Sequence, residues 1–376
     1  MTSLSGNTDQ DDEEPEGVET AGSDGWGDYP LDSVFVRTET RSVAEVVKRI
    51  EAGRYVLDPD FQRDFVWETQ KQSKLIESAV MRIPLPVFYV AEAPDGRIIV
   101  VDGLQRLTTF SRFMGNQLRL AGLASGEDGK GSHALEGKYY RDLPLNLQER
   151  VQDTQLTMYI LDAKAPERAR LDIFERVNSG VPLTRQQMRN ALYNGPATDW
   201  LRRAASSSEF QSATSGSLSA KTMRDREAIN RFCAFRLLGW QSYRTGDMDA
   251  FLAEGLRKLA GCDTAKRDHL YEDFRSVMLL NREMFDGHSF RKSLARPKYG
   301  RTVINISLFE VCAVTMSDPS VITVSSDEQP RIRDVVIKLL EDPEFDRAIT
   351  YSTNSTNAVH HRFAAMQQAL AEALVL

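Results

Sequence analysis

The pattern of apolar and polar positions predicts both helices and strands in the first half of the chain. Four aliphatic residues recur at the spacing of one helix face: Val43, Val46, Val47 and Ile50. Ser42 and Glu45 form a capping-box pair before that face. A second helical pattern, ETQKQSKLIESAVMR, ends before Pro84. Two apolar runs, PVFYVAE and RIIVVD, are joined by the turn sequence APDG and predict two strands.

The stretch IIVVDGLQRLTTF predicts a buried strand that ends at Asp102, a turn at Gly103 and a helix that runs to Gly115. Ligands of open α/β sheets bind at the carboxyl ends of strands. A helix N-terminus favours anions, and an arginine such as Arg106 can add a forked contact to phosphate. Asp102 is the candidate contact for a metal ion or water. The alternative is an ordinary strand–turn–helix junction in which Asp102 caps the helix.

The second half of the chain reads as successive helices. PERARLDIFERVNSG predicts a helix that ends at Asn178 and Gly180, and TRQQMRNALYNG predicts another, capped by Thr184 and Gln187. Further amphipathic patterns follow at 197–205, 222–239, 246–260, 266–284, 301–316, 329–341 and 356–374. The predicted class is therefore α+β, with a mixed domain over 29–162 and a mainly α-helical domain over 163–376.

Charge divides the chain unevenly. Residues 1–28 carry nine acids and no Lys or Arg, although the whole chain has a net charge of −7. This acidic N-terminal segment lacks hydrophobic periodicity, so we predict that it is disordered. One interpretation is a solubilising segment, and the other is an acidic mimic that shields a basic groove.

Several protein classes are disfavoured by composition. No apolar run reaches the roughly 18–20 residues of a membrane span, and the first residues lack the pattern of a secretory signal. We therefore expect a cytoplasmic protein without a membrane partner. The three cysteines (Cys233, Cys262 and Cys312) are isolated in sequence, so we expect small buried or half-buried side chains rather than a zinc site or disulfides.

Two basic clusters suit the phosphate backbone of DNA. Residues 201–244 hold eight basic residues against three acids, and residues 289–301 hold five basic residues and no acid. The candidate DNA-binding residues are Arg224, Arg231, Arg291, Lys292, Arg296 and Lys298. The alternative is a solvated or ion-paired helix face. The five histidines form no HxxH or HExxH pair, and no GxSxG motif occurs, so metal-nuclease chemistry from this chain alone is not expected.

Two further motifs are ambiguous by themselves. DPDFQRDFVWE places Arg63 between Phe61 and Phe65, which fits either a cleft-facing guanidinium or an aromatic minicore with an internal ion pair. FERVNSGVPLTRQQMRNALYNG fits an ordinary capped helix–turn–helix around Asn178 and Gly180.

Taken in order and spacing, three of these motifs resemble the N-terminal domain of GmrSD-type restriction endonucleases, which has a ParB/sulfiredoxin-like fold. The motifs are DPDFQRDFVWETQKQSKLIESAVMRIPLPVFYV, IVVDGLQRLTTF and FERVNSGVPLTRQQMRNALYNG. The resemblance covers residues 30–195 strongly and the helical remainder more loosely.

This resemblance implies a nucleotide-handling module in bacterial antiviral defence. Its Asp-Gly-x-Gln-Arg box, which binds and hydrolyses nucleoside triphosphate in the family, corresponds to Asp102, Gly103, Gln105 and Arg106. The catalytic candidates are accordingly Asp102, Gln105 and Arg106, with Asp102 as the tentative Mg²⁺ ligand. The nucleotide-binding candidates are Gln62, Arg63, Gly103, Arg106, Asn178 and Gly180. The family usually has a glutamine where this chain has Leu104, which affects the expectation of hydrolysis more than that of binding.

The resemblance also implies partners. GmrSD-type enzymes carry a separate HNH-like nuclease domain, so DNA cleavage is expected to need another subunit. Whether the chain also forms a homo-oligomer is left open by the sequence. The first hypothesis is a nucleoside-triphosphate-binding subunit, with or without NTPase activity, of a restriction-like anti-phage system. The alternatives are a non-catalytic DNA-binding adaptor and a stand-alone ParB-like nuclease.

Overall fold

The computed structural model describes residues 15–16, 36–57, 67–93, 95–123, 133–177 and 184–374. Within them, a five-stranded mixed sheet with helices is followed by a mainly helical region, so the predicted α+β class is confirmed. The chain forms two compact units that divide between Leu192 and Tyr193. Two helices that follow residue 162 thereby group with the sheet, whereas the sequence analysis assigned them to the helical domain.

The sheet contains β1 (Val36–Ser42), β2 (Tyr55–Val56), β3 (Phe88–Glu92), β4 (Ile98–Asp102) and β5 (Gln155–Leu161) in the order β1-β5-β3-β4-β2. β5 pairs antiparallel with β1 and parallel with β3. β4 pairs antiparallel with β3 and parallel with β2, with an irregularity in β3 between Tyr89 and Val90. Because β3 and β4 are antiparallel neighbours, the first residues of β3 lie beside the last residues of β4, at the same end of the two strands.

Among the described residues of this unit, the sheet is accompanied by the helices α1 (Val43–Glu51), α2 (Thr69–Val80), α3 (Leu104–Met114), α4 (Leu145–Gln152), α5 (Glu167–Val177) and α6 (Arg185–Leu192). Alternate residues of β3 and β5, including Phe88, Met158 and Ile160, are fully buried and share a core with Phe110 and Phe113 of α3. This core holds α3 against the sheet.

The second unit is built from ten helices among its described residues. They are α7 (Pro196–Ala205), α8 (Ser208–Thr214), α9 (Arg224–Leu238), α10 (Met248–Gly261), α11 (Thr264–Phe285), α12 (Ile306–Thr315), α13 (Pro319–Ile322), α14 (Gln329–Glu341), α15 (Pro343–Thr350) and α16 (Thr356–Leu374). Aromatic rings form the centre of its core, with Phe274 of α11 packed 5.1 Å from Phe232 and 5.9 Å from Phe210 between ring centroids.

Both predicted capping boxes have a structural counterpart. Ser42 accepts a hydrogen bond from the Glu45 amide at 3.2 Å, and Thr184 and Gln187 exchange backbone-to-side-chain bonds in both directions. Cys233 and Cys312 are buried and Cys262 is half-buried, as expected from their isolation in the sequence.

Other elements differ from the prediction. β1, α8, α13 and α15 were not predicted, and the predicted helix over 301–316 begins only at Ile306. Asn305 is the reason for that start, because its side chain caps α12 by accepting the Leu308 amide at 2.8 Å. None of the helices in the described part of the chain is long and apolar enough to cross a membrane.

Candidate functional site

The end of β4 and the start of α3 form a tight junction around Gly103. Its φ of +101° is a left-handed conformation that glycine adopts without steric cost. A Cβ atom at this position would lie 2.3 Å from Cδ1 of Phe88. Glycine is therefore required at position 103 for two reasons. The backbone has a left-handed conformation there, and the buried Phe88 ring leaves no room for a side chain.

Arg106, in the first turn of α3, points into the protein. Its guanidinium donates to the Pro86 carbonyl, to the Val87 carbonyl at 3.0 Å and to the Asp102 carboxylate at 2.9 Å. It also lies over the Phe88 ring, 4.1 Å from the ring centroid. Burial lowers the pKa of Arg106, while Asp102 acts to raise it. The arginine thus joins the end of β4 to the segment that enters β3.

Asp102 provides a half-exposed carboxylate to the box. Its side chain is 35% exposed, whereas that of Arg106 is 10% exposed. The helix that follows begins after Gly103, which provides no side-chain cap. No group of three or more potential metal ligands occurs in the described ranges.

Leu104 packs into the hydrophobic core, whereas Gln105 makes a hydrogen bond to a neighbouring segment. Leu104 is 8% exposed and belongs to the core of the sheet unit. The Gln105 side-chain oxygen accepts the Trp67 amide at 3.2 Å, so it joins α3 to the residues that precede α2. The position where the family usually has its first glutamine therefore faces the core in this chain.

Four predicted nucleotide-binding residues lie outside the described residues. Gln62 and Arg63 fall in the range 58–66, and Asn178 and Gly180 fall in the range 178–183. The structure describes Asp102, Gly103, Gln105 and Arg106 of the predicted site, and it places Asp102 and Arg106 in direct contact.

A protein-family model matches part of the chain. Residues 43–194 match a family described as GmrSD restriction endonuclease, N-terminal domain. These residues form a GmrSD N-terminal domain. The resemblance drawn from the three motifs is thus confirmed, and it connects the chain with restriction systems, which act on DNA. No curated protein matches the chain.

Two of the DNA-binding candidates lie inside the helical unit that follows the GmrSD N-terminal domain. Arg231 is 1% exposed and donates to Glu310 at 2.9 Å. Burial acts to lower the pKa of Arg231, but the charges of Glu310 and Glu227 outweigh it and raise that pKa. Arg291 is also 1% exposed and donates to the Thr214 carbonyl at 3.2 Å. Their burial removes both arginines from any exposed phosphate-binding surface, as a correction to the sequence analysis.

The other candidates are at or near the surface. Arg224 pairs with Glu227 at 2.8 Å, and Lys292 pairs with Asp346 at 3.0 Å. Arg296 and Lys298 are exposed, beside a 3-10 turn over Pro297–Tyr299. Neither Arg296 nor Lys298 forms an ion pair within the part of the chain that the structure describes. Arg301, which follows them in the sequence, is also exposed.

Several residues of these two regions were missed from the sequence. Glu310 also binds Arg362, whose Nε donates at 2.9 Å, so one buried carboxylate serves two arginines. The Pro86 and Val87 carbonyls that receive Arg106 are backbone atoms and leave no signal in residue type. An acid inside the strongly apolar pattern ISLFEVCAVT was the available signal for Glu310, since a buried charge requires partners.

Proposed function

We propose that this chain is a nucleoside-triphosphate-binding subunit of a cytoplasmic, restriction-like defence system that acts on foreign DNA. The observation that carries the proposal is the half-exposed carboxylate of Asp102, which directly precedes Gly103 and the N-terminus of α3 in a GmrSD N-terminal domain. Backbone amides at a helix start complement phosphate oxygens, and the helix dipole favours negative charge there.

Asp102 fits a Mg²⁺ ion that arrives with the nucleotide. Mg²⁺ commonly keeps several waters and is held by one or two carboxylates together with substrate phosphates. A single exposed carboxylate at the end of β4 matches that requirement better than a preformed metal site, which needs several protein ligands. When bound, the ion would supply charge neutralisation for the phosphates.

In this proposal, Arg106 and Gln105 are positioning residues. Arg106 holds the Asp102 carboxylate from one side while its other donors fix Pro86 and Val87. Gln105 fixes the Trp67 amide and so the end of the segment that contains Gln62 and Arg63 in the sequence. Gln62, Arg63, Asn178 and Gly180 stay as predicted nucleotide contacts.

Calorimetry with the full chain tests nucleotide binding. ATP, GTP, CTP and UTP are titrated with and without Mg²⁺, and the Asp102→Asn variant is compared with Asp153→Asn, which changes an exposed acid elsewhere in the same unit. We expect Asp102→Asn to weaken the Mg²⁺-dependent part of the affinity by about tenfold or more. Asp153→Asn should bind like the wild type.

Absence of binding for all four nucleotides in both conditions would contradict the proposal. Phosphate release measured on the nucleotide that binds then decides whether the subunit is also an NTPase. DNA cleavage is assigned to a separate nuclease subunit, so a plasmid-nicking assay with this chain alone should stay negative.

The exposed cations of the helical unit support a second candidate function, that of a DNA-binding adaptor without catalysis. Arg296, Lys298 and Arg301 lie on one short exposed segment, next to Tyr299, whose surface is 89% exposed. Cations of this kind neutralise phosphates and release counterions, so binding weakens steeply with salt. The adaptor and the nucleotide-binding subunit differ in the calorimetric result, not in DNA binding.

A gel-shift titration at several salt concentrations tests the DNA contact. The double variant Arg296→Glu/Lys298→Glu is compared with Arg331→Glu/Arg333→Glu, which reverses two exposed charges at the same spacing on α14. We expect the first variant to lose about tenfold or more in affinity and to show a smaller salt slope. Equal losses in both variants would instead indicate an unspecific effect of net charge.

A further inference from the structure

Glu16, from the acidic N-terminal segment, is bound to the helical unit by its backbone and its side chain. Its amide donates to the Ile304 carbonyl at 2.8 Å, and the Ile306 amide donates to the Glu16 carbonyl at 2.8 Å. Its carboxylate pairs with Lys292 at 3.0 Å. Three contacts with two separate stretches of chain hold this residue in a defined place.

Those two stretches are the two arms of one loop. Residues 293–302, here named the basic loop, are closed at their base because Ser293 and Thr302 exchange amide-to-hydroxyl hydrogen bonds at 3.2 and 3.1 Å. Lys292 precedes the closure and Ile304 follows it. Glu16 therefore binds both arms at the foot of the loop that carries the exposed cations Arg296, Lys298 and Arg301.

Further acidic residues are close to Glu16 in the sequence. Glu13, Glu14 and Glu19 are two or three residues from Glu16 in the sequence, and three residues span at most about 11 Å. Charges interact effectively within a Debye length, which is about 8–10 Å at ordinary salt. Arg301 is likewise only three residues from Ile304. The acids Glu13, Glu14 and Glu19 are thus tethered by a few residues of chain to Glu16, which is bound at the foot of the basic loop.

We propose that the acidic N-terminal segment, anchored through Glu16, competes with DNA phosphates for the basic loop. The segment and a phosphate backbone offer the same chemistry, which is a chain of closely spaced negative charges. Because the competitor is covalently attached, its effective concentration is high and it weakens DNA binding without any partner. This inference rests on the proposed contact between the basic loop and DNA.

DNA binding of full-length variants tests the competition. In one variant all nine acids of residues 1–28 are replaced by their amides. In a second, Glu16→Pro removes both the amide donor to Ile304 and the partner of Lys292. Glu19→Pro is the matched control, because it makes the same change of charge and residue type three positions away. Thermal unfolding of each variant confirms that the helical unit is intact.

We expect the neutralised variant to bind DNA about tenfold more tightly than the wild type at about 50 mM salt. At about 300 mM salt the difference should fall below about twofold, because screening weakens the internal competitor. Glu16→Pro should reproduce much of the gain and Glu19→Pro only a small part of it. That pattern would establish Glu16 as the anchor of the competing segment.

Two other results overturn the proposal in distinguishable ways. Equal affinities for the wild type and all variants would show that DNA binds and the segment does not compete, so the DNA-binding proposal would stand alone. No binding by any variant, including the neutralised one, would refute the DNA contact itself and the competition with it. A gain that is the same at low and high salt would exclude charge competition.

Discussion

The guanidinium of Arg106 donates a 2.9 Å hydrogen bond to the carboxylate of Asp102, four residues earlier and across the turn from β4 to α3. The same guanidinium holds the two carbonyls that lead into β3. The Asp-Gly-x-Gln-Arg box is therefore a structural junction as well as a candidate site. Substitutions that break these contacts are expected to lower the stability of the sheet unit, so binding assays on such variants need an unfolding measurement beside them.

Arg106→Ala should destabilise the sheet unit. It leaves the Pro86 and Val87 carbonyls without their donor and removes the charge partner of Asp102, which we expect to cost about 2–4 kcal/mol. Denaturant unfolding measures the change. The control is Arg97→Ala, which breaks the more exposed pair with Asp95 and should cost less than about 1 kcal/mol. Equal costs would contradict an inward-facing role for Arg106.

Gly103→Ala should be far more harmful than Gly53→Ala. Both glycines have positive φ, so both alanines meet a strain of about 1–2 kcal/mol. Only at Gly103 does the new methyl group collide with Phe88, which should bring the total to about 3 kcal/mol or more. Unfolding free energies give the comparison. Adding Phe88→Leu should make the pair cost less than the sum of the single changes, because the collision is relieved.

Leu104→Gln should lower stability without improving nucleotide hydrolysis. The side chain at this position is 8% exposed, so an amide there loses apolar burial and lacks room for its hydrogen bonds, at a cost of about 2–4 kcal/mol. Leu104→Met keeps the volume and should cost less than about 1.5 kcal/mol. Phosphate release and unfolding are measured on both variants. A glutamine variant with increased turnover would show that the position does reach the nucleotide.

Asp225→Asn should stabilise the helical unit at neutral pH. Asp225 is 4% exposed, and burial raises the pKa of its carboxyl from 3.8 to about 6. Above that pKa the folded chain carries a buried negative charge, whereas below about 3.8 the group is protonated in both states. The gain should therefore be about 2–3 kcal/mol near pH 7 and disappear as the pH falls from about 6 to about 4.

Unfolding of Asp225→Asn at a series of pH values checks this sign. The variant keeps the oxygen that accepts the Arg226 amide, so loss of a hydrogen bond does not complicate the comparison. Asp334→Asn, at an exposed position of α14, is the control and should show no such pH dependence. A gain that persists at pH 4 would mean that burial of the charge is not its cause.

The local sequence pattern was sufficient to predict those elements whose defining residues lie within a few positions of one another. The apolar spacing of α1 with its Ser42 cap, the Thr184–Gln187 box and the strand–turn–helix around Gly103 were all predicted. Caps and helix faces depend on residues three or four positions apart, so the sequence contains their partners. The family of residues 43–194 was also evident from the sequence, because three motifs occur in order.

Only the tertiary structure decided which charged side chains are buried and which groups they contact. β1, VRTETRS, has almost no apolar residues and is a strand because β5 pairs along its whole length. Arg224 and Arg231 share a helix pattern, but Glu310, 79 residues further on, draws Arg231 into the core. Arg106 similarly faces backbone carbonyls that no residue type reveals. A charged side chain points toward a group of opposite charge or a hydrogen-bond acceptor that lies close to it in the folded protein. Such a group can lie anywhere along the chain.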